Sequence, residues 1–221
     1  MGSIEGTTDQ AFINKPFTVA VFCGAHPGSS PVFAESARSL AQALHGQQWR
    51  LVYGGGTVGL MGEVSRALVS LSGSEAVHGI IPSELVSVER KRSSINADED
   101  ERTKSYGSLT VVKDMHARKS MMAEEADAFV ALPGGFGTME EVMEIITWSY
   151  LGIHAKPIVL FNVNGYYDSI IQWVKKAVVS GFVDEKNSDI VVEASTAEDV
   201  IEAVRNYRVP QGRFDLNWGS R

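Results

Sequence analysis

Cysteine is almost missing from this chain: Cys23 is the only one in 221 residues. An intramolecular disulfide and a cysteine-based zinc cluster are therefore excluded. His26, His45, His78, His116 and His154 show no close metal-ligand spacing, so each is expected as a polar core or surface residue. No Gly-x-Ser-x-Gly elbow occurs, which removes the usual setting of a serine nucleophile. No apolar run is long enough to span a bilayer, and the N-terminus lacks the basic-then-apolar pattern of a secretory signal. A cytoplasmic protein is the expectation. Positive charge is also short, 20 Lys and Arg against 27 Asp and Glu, a net charge of -7. That balance argues against a nucleic-acid surface, though not against a local basic pocket for one phosphate.

What is present points to a soluble globule. Hydrophobic residues make up 44% and charged residues 21% of the chain, within the ordinary range for such proteins. Apolar runs alternate with helical periodicity along the chain. Strands are predicted at 17–23, 50–53, 76–81, 109–112, 128–132, 156–161 and 190–192, with helices at about 31–46, after Gly62 to about Ser72, near Asp114, after Thr138, at 166–179 and from Thr196. This order predicts an α/β fold: a Rossmann-like, doubly wound parallel sheet in a single domain, with helices on both faces. Residues 1–16 read as a flexible lead-in, 17–207 as the domain and 208–221 as a tail. The charged stretch from about 86 to 107 reads as a solvated loop or lid.

The chemistry concentrates at Leu132-Pro133-Gly134-Gly135-Phe136-Gly137-Thr138-Met139-Glu140-Glu141. A buried strand leads into it and a helix leads out, the place where open α/β sheets bind ligands. Glycines let backbone N–H groups approach an anion, and a helix start adds donors and a positive dipole end. Thr138 and Glu141 also match a capping box, with Thr138 as N-cap. Glu140 and Glu141 are thus open to a structural or a chemical reading. Three glycines in four positions are harder to explain by a turn alone. A second glycine turn, Gly54-Gly55-Gly56-Thr57-Val58-Gly59, formally matches the dinucleotide fingerprint. It follows the second strand, and no acid stands where a ribose partner belongs, so an NAD site is disfavoured. Gly55 and Gly56 are better candidates for a turn near a phosphate.

Arg118 and Lys119 are neighbours on a helix and point about 100° apart, so both cannot face one way. Two solvated cations is the simple reading. Their helix opens at the same sheet edge as the glycine turn, however, and a guanidinium there can take a phosphate bidentately. Glycine amides, a cation and a carboxylate together suit cleavage of a nucleotide N-glycosidic bond. Its transition state is oxocarbenium-like, so a carboxylate beside the ribose stabilises it and can orient water. Glu141 is the candidate for that role, with Glu140 nearer the ribose hydroxyls.

These motifs resemble a known family. Pro133-Gly134-Gly135-Phe136-Gly137-Thr138-Met139-Glu140-Glu141 is similar to the PGGxGTxxE signature of the LOG (Lonely Guy) cytokinin-activating enzymes. Met115-His116-Ala117-Arg118-Lys119 resembles their second motif. Tyr53 to Gly62, Pro82-x-Glu84-Leu85 and Ile146-Thr147-Trp148-Ser149 follow in family order. The resemblance implies a cytokinin riboside 5′-monophosphate phosphoribohydrolase that releases an adenine-type base and ribose 5-phosphate, and that acts on AMP as well. It implies Arg118 and Glu141 as catalytic residues. It implies Glu84, Arg118, Lys119, Gly134, Gly135, Phe136, Gly137, Thr138, Met139, Glu140 and Thr147 as nucleotide-binding residues. It further implies a homodimer or larger homo-oligomer with no metal and no cofactor, no nucleic-acid partner and no membrane. At Gly24-Ala25-His26-Pro27 the chain departs from the family's usual Gly-Ser-Ser, and Ser149-Tyr150 stands where many plant members carry Ser-Gln. Two other readings are weighed: a nucleotide-binding module that does not cleave, and a lysine decarboxylase, a label often attached to this motif. Decarboxylation normally needs pyridoxal phosphate on a lysine, and no lysine here is singled out for it.

Overall fold

Alternation along the strands decides the layering. In the computed structural model, which describes residues 15–92 and 99–218, the first strand β1 (Thr18–Phe22) is buried along its whole length. Val19, Val21 and Cys23 enter one apolar cluster, whereas Ala20 and Phe22 enter the other. Successive side chains of a strand point to opposite faces, so a strand apolar at every position must be covered on both. The strands β2 (Arg50–Tyr53), β3 (Val77–Pro82), β4 (Ser108–Val112), β5 (Ala128–Ala131), β6 (Ile158–Phe161) and β7 (Val192–Ala194) complete one sheet. All pairs are parallel, in the order β4-β3-β2-β1-β5-β6-β7. The chain runs outward from β1 in one direction, then returns to start again at β5. The carboxyl ends of β1 and β5 thus flank the crevice where strand order reverses, the expected ligand position in such a sheet.

One face carries α1 (Pro31–Gly46), α2 (Gly59–Ser72) and α8 (Ala197–Asn206), whose Leu40, Leu44, Leu60, Leu68, Val200 and Val204 pack in the first cluster. The other carries α5 (Met115–Glu125), α6 (Phe136–Tyr150) and α7 (Asp168–Val179), with Met122, Val142 and Ile145 in the second. Caps predicted from sequence form: the Asp114 carboxylate accepts the Ala117 N–H at 2.8 Å, and Thr196 with Asp199 closes a reciprocal capping box. Among the described residues no helix is long and apolar enough to cross a membrane.

Three local expectations are corrected. The charged stretch at 86–107 is largely helical, with α3 (Ser83–Arg92) and α4 (Glu99–Tyr106); the residues between them lie outside the described ones. These helices are polar almost throughout, so they lack the wide apolar stripe by which helices are read from sequence. The last strand begins at Val192, since the preceding Glu185–Ile190 coils as a 3-10 turn. Thr138 is not an N-cap: α6 starts at Phe136 with Gly135 as cap, three residues earlier than a Thr138 cap would set it, and Thr138 is buried in its first turn. The lead-in at 1–16 lies mostly outside the described residues. In the tail, the Phe214 N–H donates to the Tyr150 carbonyl at 2.9 Å and the Trp218 indole N–H donates to the Leu151 carbonyl at 2.9 Å.

Candidate active site

A cavity of about 500 Å³ opens at the crevice between β1 and β5. Its floor is the turn after β5. Gly134 has no room for a side chain, because a Cβ there would stand 2.1 Å from the Thr138 hydroxyl and 2.9 Å from the Gly24 nitrogen. Gly135 and Gly137 differ: a Cβ at either would meet nothing within 4 Å, and neither has a positive φ. Packing inside the chain gives no reason for their bareness, whereas a ligand seated against the main chain would. The turn is braced from below. The Tyr167 hydroxyl donates to the Leu132 carbonyl at 2.7 Å, and the Tyr166 hydroxyl donates to the Gly134 carbonyl. From Gly135 the chain turns directly into α6, whose N-terminus carries no side-chain cap. Its first N–H groups therefore have no intrahelical partner and face the anion-binding end of the dipole.

Arg118 and Glu141 meet on the cavity wall. Arg118 rises from α5 and Glu141 from α6; their Nη2 and Oε1 atoms are 3.1 Å apart, and the residues are 9% and 5% exposed. The guanidinium threads past Gly54, where a Cβ would lie 2.1 Å from Nη2. The glycine after β2 is thus the passage for this side chain. Arg118 Nε is buried without a partner. Burial lifts the Glu141 carboxyl above the ordinary carboxylate range, and the Arg118 charge pulls it part of the way back. Cys23 also lines the cavity, but burial pushes its thiol far up, so it is a neutral thiol and no nucleophile.

Not every candidate residue reaches this cavity. Arg118, Gly134, Gly135, Gly137, Thr138 and Glu141 line it. Lys119 is 7% exposed, but it turns away to pair with Glu140 and with Glu144 at 3.0 Å. Phe136 is 98% exposed, and Met139 packs against the second apolar cluster. The Thr147 hydroxyl is exposed and donates to the Met143 carbonyl at 2.7 Å. Glu84 is exposed on the first turn of α3, off the cavity lining. Gly55 lines a second, smaller cavity beneath α3 and α4, and Gly56 lies against Met61.

Sequence reasoning missed the wall made by α3. Leu85, Val88, Glu89 and Arg92 line the cavity, and their spacing of three, four and seven places them on one helical face. That spacing is the signal that could have found them, had the stretch been read as helix. Glu89, not Glu84, is the acid of α3 that fronts the cavity; it accepts the Thr57 N–H at 3.3 Å. Across from α3, Phe33, Leu60, Met61 and Ile81 make the wall apolar.

Comparison with known proteins identifies the family. A family model described as "Possible lysine decarboxylase" matches residues 61–204. The chain is 41% identical over 210 residues to a bifunctional cytokinin biosynthesis protein of Fusarium pseudograminearum (strain CS3096), covering 92% of this chain and 43% of that protein; against it, the chain spans less than half the relative's length. It is 43% identical over 189 residues to the cytokinin riboside 5′-monophosphate phosphoribohydrolase LOG7 of Arabidopsis thaliana, covering 86% of this chain and 81% of that protein. Among solved structures, a molybdenum cofactor binding protein from Rippkaea orientalis shares the fold, with a TM-score of 0.59 at 21% identity, over 87% of this chain and 97% of that one. The motifs that line the cavity and these similarities lead to one assignment: the chain belongs to the LOG family, within the group described as possible lysine decarboxylases.

Proposed function

We propose that this protein is a phosphoribohydrolase that cleaves the N-glycosidic bond of cytokinin riboside 5′-monophosphates, and of AMP, to release the free base and ribose 5-phosphate. One observation carries the reading: a buried Arg118–Glu141 pair stands on the wall of a cavity floored by the bare main chain of Gly135 and Gly137. Named relatives that act on cytokinin riboside 5′-monophosphates, at 41–43% identity over 86% of this chain, support the same chemistry.

In this reading the 5′-phosphate sits at the N-terminus of α6, where the unpaired N–H groups of Phe136, Gly137 and Thr138 can donate to it. That anchor places the ribose toward Glu141. As the bond between C1′ and the base nitrogen lengthens, positive charge grows on the ring, and the Glu141 carboxylate stabilises it. The same carboxylate orients a water for attack at C1′. The bond electrons leave with the base, which takes up a proton, and the water's oxygen becomes the new sugar hydroxyl. Arg118 pulls the Glu141 carboxyl toward its ionised form against the effect of burial and holds its orientation. The apolar wall of Phe33, Leu60, Met61, Ile81, Leu85 and Val88 suits a base bearing a hydrocarbon tail such as an isopentenyl group. The reading also carries a homodimer or larger homo-oligomer and a cytoplasmic location, both on the strength of the family resemblance.

Pyridoxal phosphate chemistry does not fit these residues. Among the described residues no lysine lines the cavity, and the nearby Lys119 is held by Glu140 and Glu144. Product chromatography across AMP, GMP, CMP and prenylated adenosine monophosphates tests the proposal. Free base with equimolar ribose 5-phosphate is expected from the adenine series. Saturable nucleotide binding with no base released over hours would make the protein a binding module instead.

A further inference from the structure

The phosphate in this reading lacks a full positive charge. Arg118 is committed to Glu141, Lys119 is held by Glu140 and Glu144, and a helix N-terminus supplies only about half a unit charge. Among the described residues one further cation lines the cavity. Arg92 stands at the C-terminal end of α3, and its Nη2 donates to the Nε2 of His26 at 2.7 Å. The imidazole offers the guanidinium a lone pair and no opposite charge, so this contact does not balance the Arg92 charge. Among the described residues no carboxylate forms an ion pair with Arg92.

His26 is itself fixed beside the glycine floor. It lies in the turn after β1, where the Gly24 N–H donates to the Pro133 carbonyl and the Leu60 N–H to the Gly24 carbonyl, each at 3.0 Å. The bare Cα of Gly59 presses on the same turn, and a Cβ there would come within 2.4 Å of the His26 nitrogen. The backbone of this turn is thus held next to Gly134, and the exposed side chains of His26 and Arg92 meet at the mouth of the cavity. This is the place where the chain departs from the Gly-Ser-Ser of its family.

We infer that Arg92 is a second cation for the 5′-phosphate of the substrate, held in waiting by His26 until a phosphate oxygen replaces the imidazole as acceptor. A charge-assisted bond to phosphate is stronger than one to a neutral ring nitrogen, and a guanidinium offers two parallel donors to it. The exchange therefore runs toward the nucleotide. It also ties α3, which carries Leu85 and Val88, to the phosphate end of the substrate. The inference rests on the phosphate position given under the proposed function.

Titration calorimetry of the full chain with ribose 5-phosphate tests it, with the KM for AMP read alongside. Arg92→Gln is expected to weaken ribose 5-phosphate at least about tenfold, the scale of a lost hydrogen bond to a charged group. Arg92→Lys, which keeps the charge, recovers part of that loss. His26→Ala removes the competing acceptor and is expected not to weaken binding. Affinity within twofold of wild type in Arg92→Gln would overturn the inference. So would an equal loss in His26→Ala, because the pair would then act only as a strut for α3. If the wild-type chain releases base from AMP while Arg92→Gln behaves identically, this inference alone fails. If the wild-type chain neither binds ribose 5-phosphate nor releases base, the functional reading fails with it.

Discussion

Two ion pairs bridge α5 to α6 within one helical turn of each other, and they have opposite characters. Arg118 meets Glu141 on the cavity wall, with one guanidinium nitrogen, Nε, buried and unpartnered. Lys119 meets Glu140 and Glu144 off the cavity lining, with its ammonium shared between two carboxylates. Adjacent residues on a helix diverge by about 100°, so one sequence motif, Arg118-Lys119, serves both sides of α6. The pair with an unsatisfied donor and a lifted carboxyl is suited to chemistry, since functional sites are where such perturbations gather. The Lys119 cluster, which stands off the cavity lining, is suited to holding α6 in register, so that Glu141 stays where Arg118 can reach it.

The sharpest way to break this contrast is Glu141→Gln. Base release from AMP is expected to fall by about 10²–10⁴-fold, the range for loss of a general acid–base group, with nucleotide affinity by calorimetry little changed. Turnover equal to wild type would strip the Arg118 pair of its chemical role.

Gly54→Ala comes next. Its new methyl collides with the Arg118 guanidinium, and kcat/KM is expected to fall by up to about 10²-fold, as a displaced catalytic group entails. Circular dichroism melting should show the fold intact.

The pH profile separates the two pairs more finely. In the proposed mechanism Glu141 acts ionised, and burial already holds its carboxyl above the ordinary range, against the pull of Arg118. In Arg118→Lys the acid limb of kcat/KM is expected to move to higher pH where the shorter side chain holds its charge farther away. No movement would mean that the limb reports another group.

Lys119→Met is expected to act on stability instead. Loss of the ammonium leaves Glu140 and Glu144 unpaired, but Glu140 is half exposed, so urea melts should show a cost of about 1–2 kcal/mol. KM for AMP should move less than about threefold, well short of a lost charge-assisted contact. A large rise in KM would show that Lys119 touches the nucleotide, and the two pairs would merge into one site.

The smallest effect belongs to the far end of α6. His154 donates from Nε2 to the Ile145 carbonyl at 2.9 Å and accepts the Lys156 N–H at Nδ1. Burial lowers its pKa from 6.5 to about 4. The unfolded chain then binds more protons than the folded one between these values. Stability contributed by the neutral ring is therefore complete above about pH 6.5 and is lost as pH falls toward 4. His154→Gln should flatten the thermal melting temperature across that window while leaving base release unaltered.

Much of the molecule was legible in the residues themselves. Val19 to Cys23 and Ala128 to Leu132 are apolar at every position, and only strands covered on both faces use such runs. Caps at Asp114 and Thr196 need nothing beyond neighbouring residues, so local reading found them. Thr138 shows the limit: Thr-x-x-Glu is a correct capping pattern, yet α6 starts earlier, at Phe136, and Thr138 packs under Gly134. The α3 wall was invisible for a related reason. Its helix is mostly polar, and the face bearing Leu85, Val88, Glu89 and Arg92 acquires meaning only when a cavity lies beneath it.

The residues alone determined the strand order in the chain, the parallel layered class and the two motifs that carry the chemistry, since hydrophobic period and glycine placement act over a few neighbours. Folding in three dimensions decided which of two adjacent cations faces the cavity, which glutamate of α3 reaches it, and that His26 meets Arg92. Those contacts join positions dozens of residues apart, so they depend on how the sheet and its helices pack and not on any local pattern.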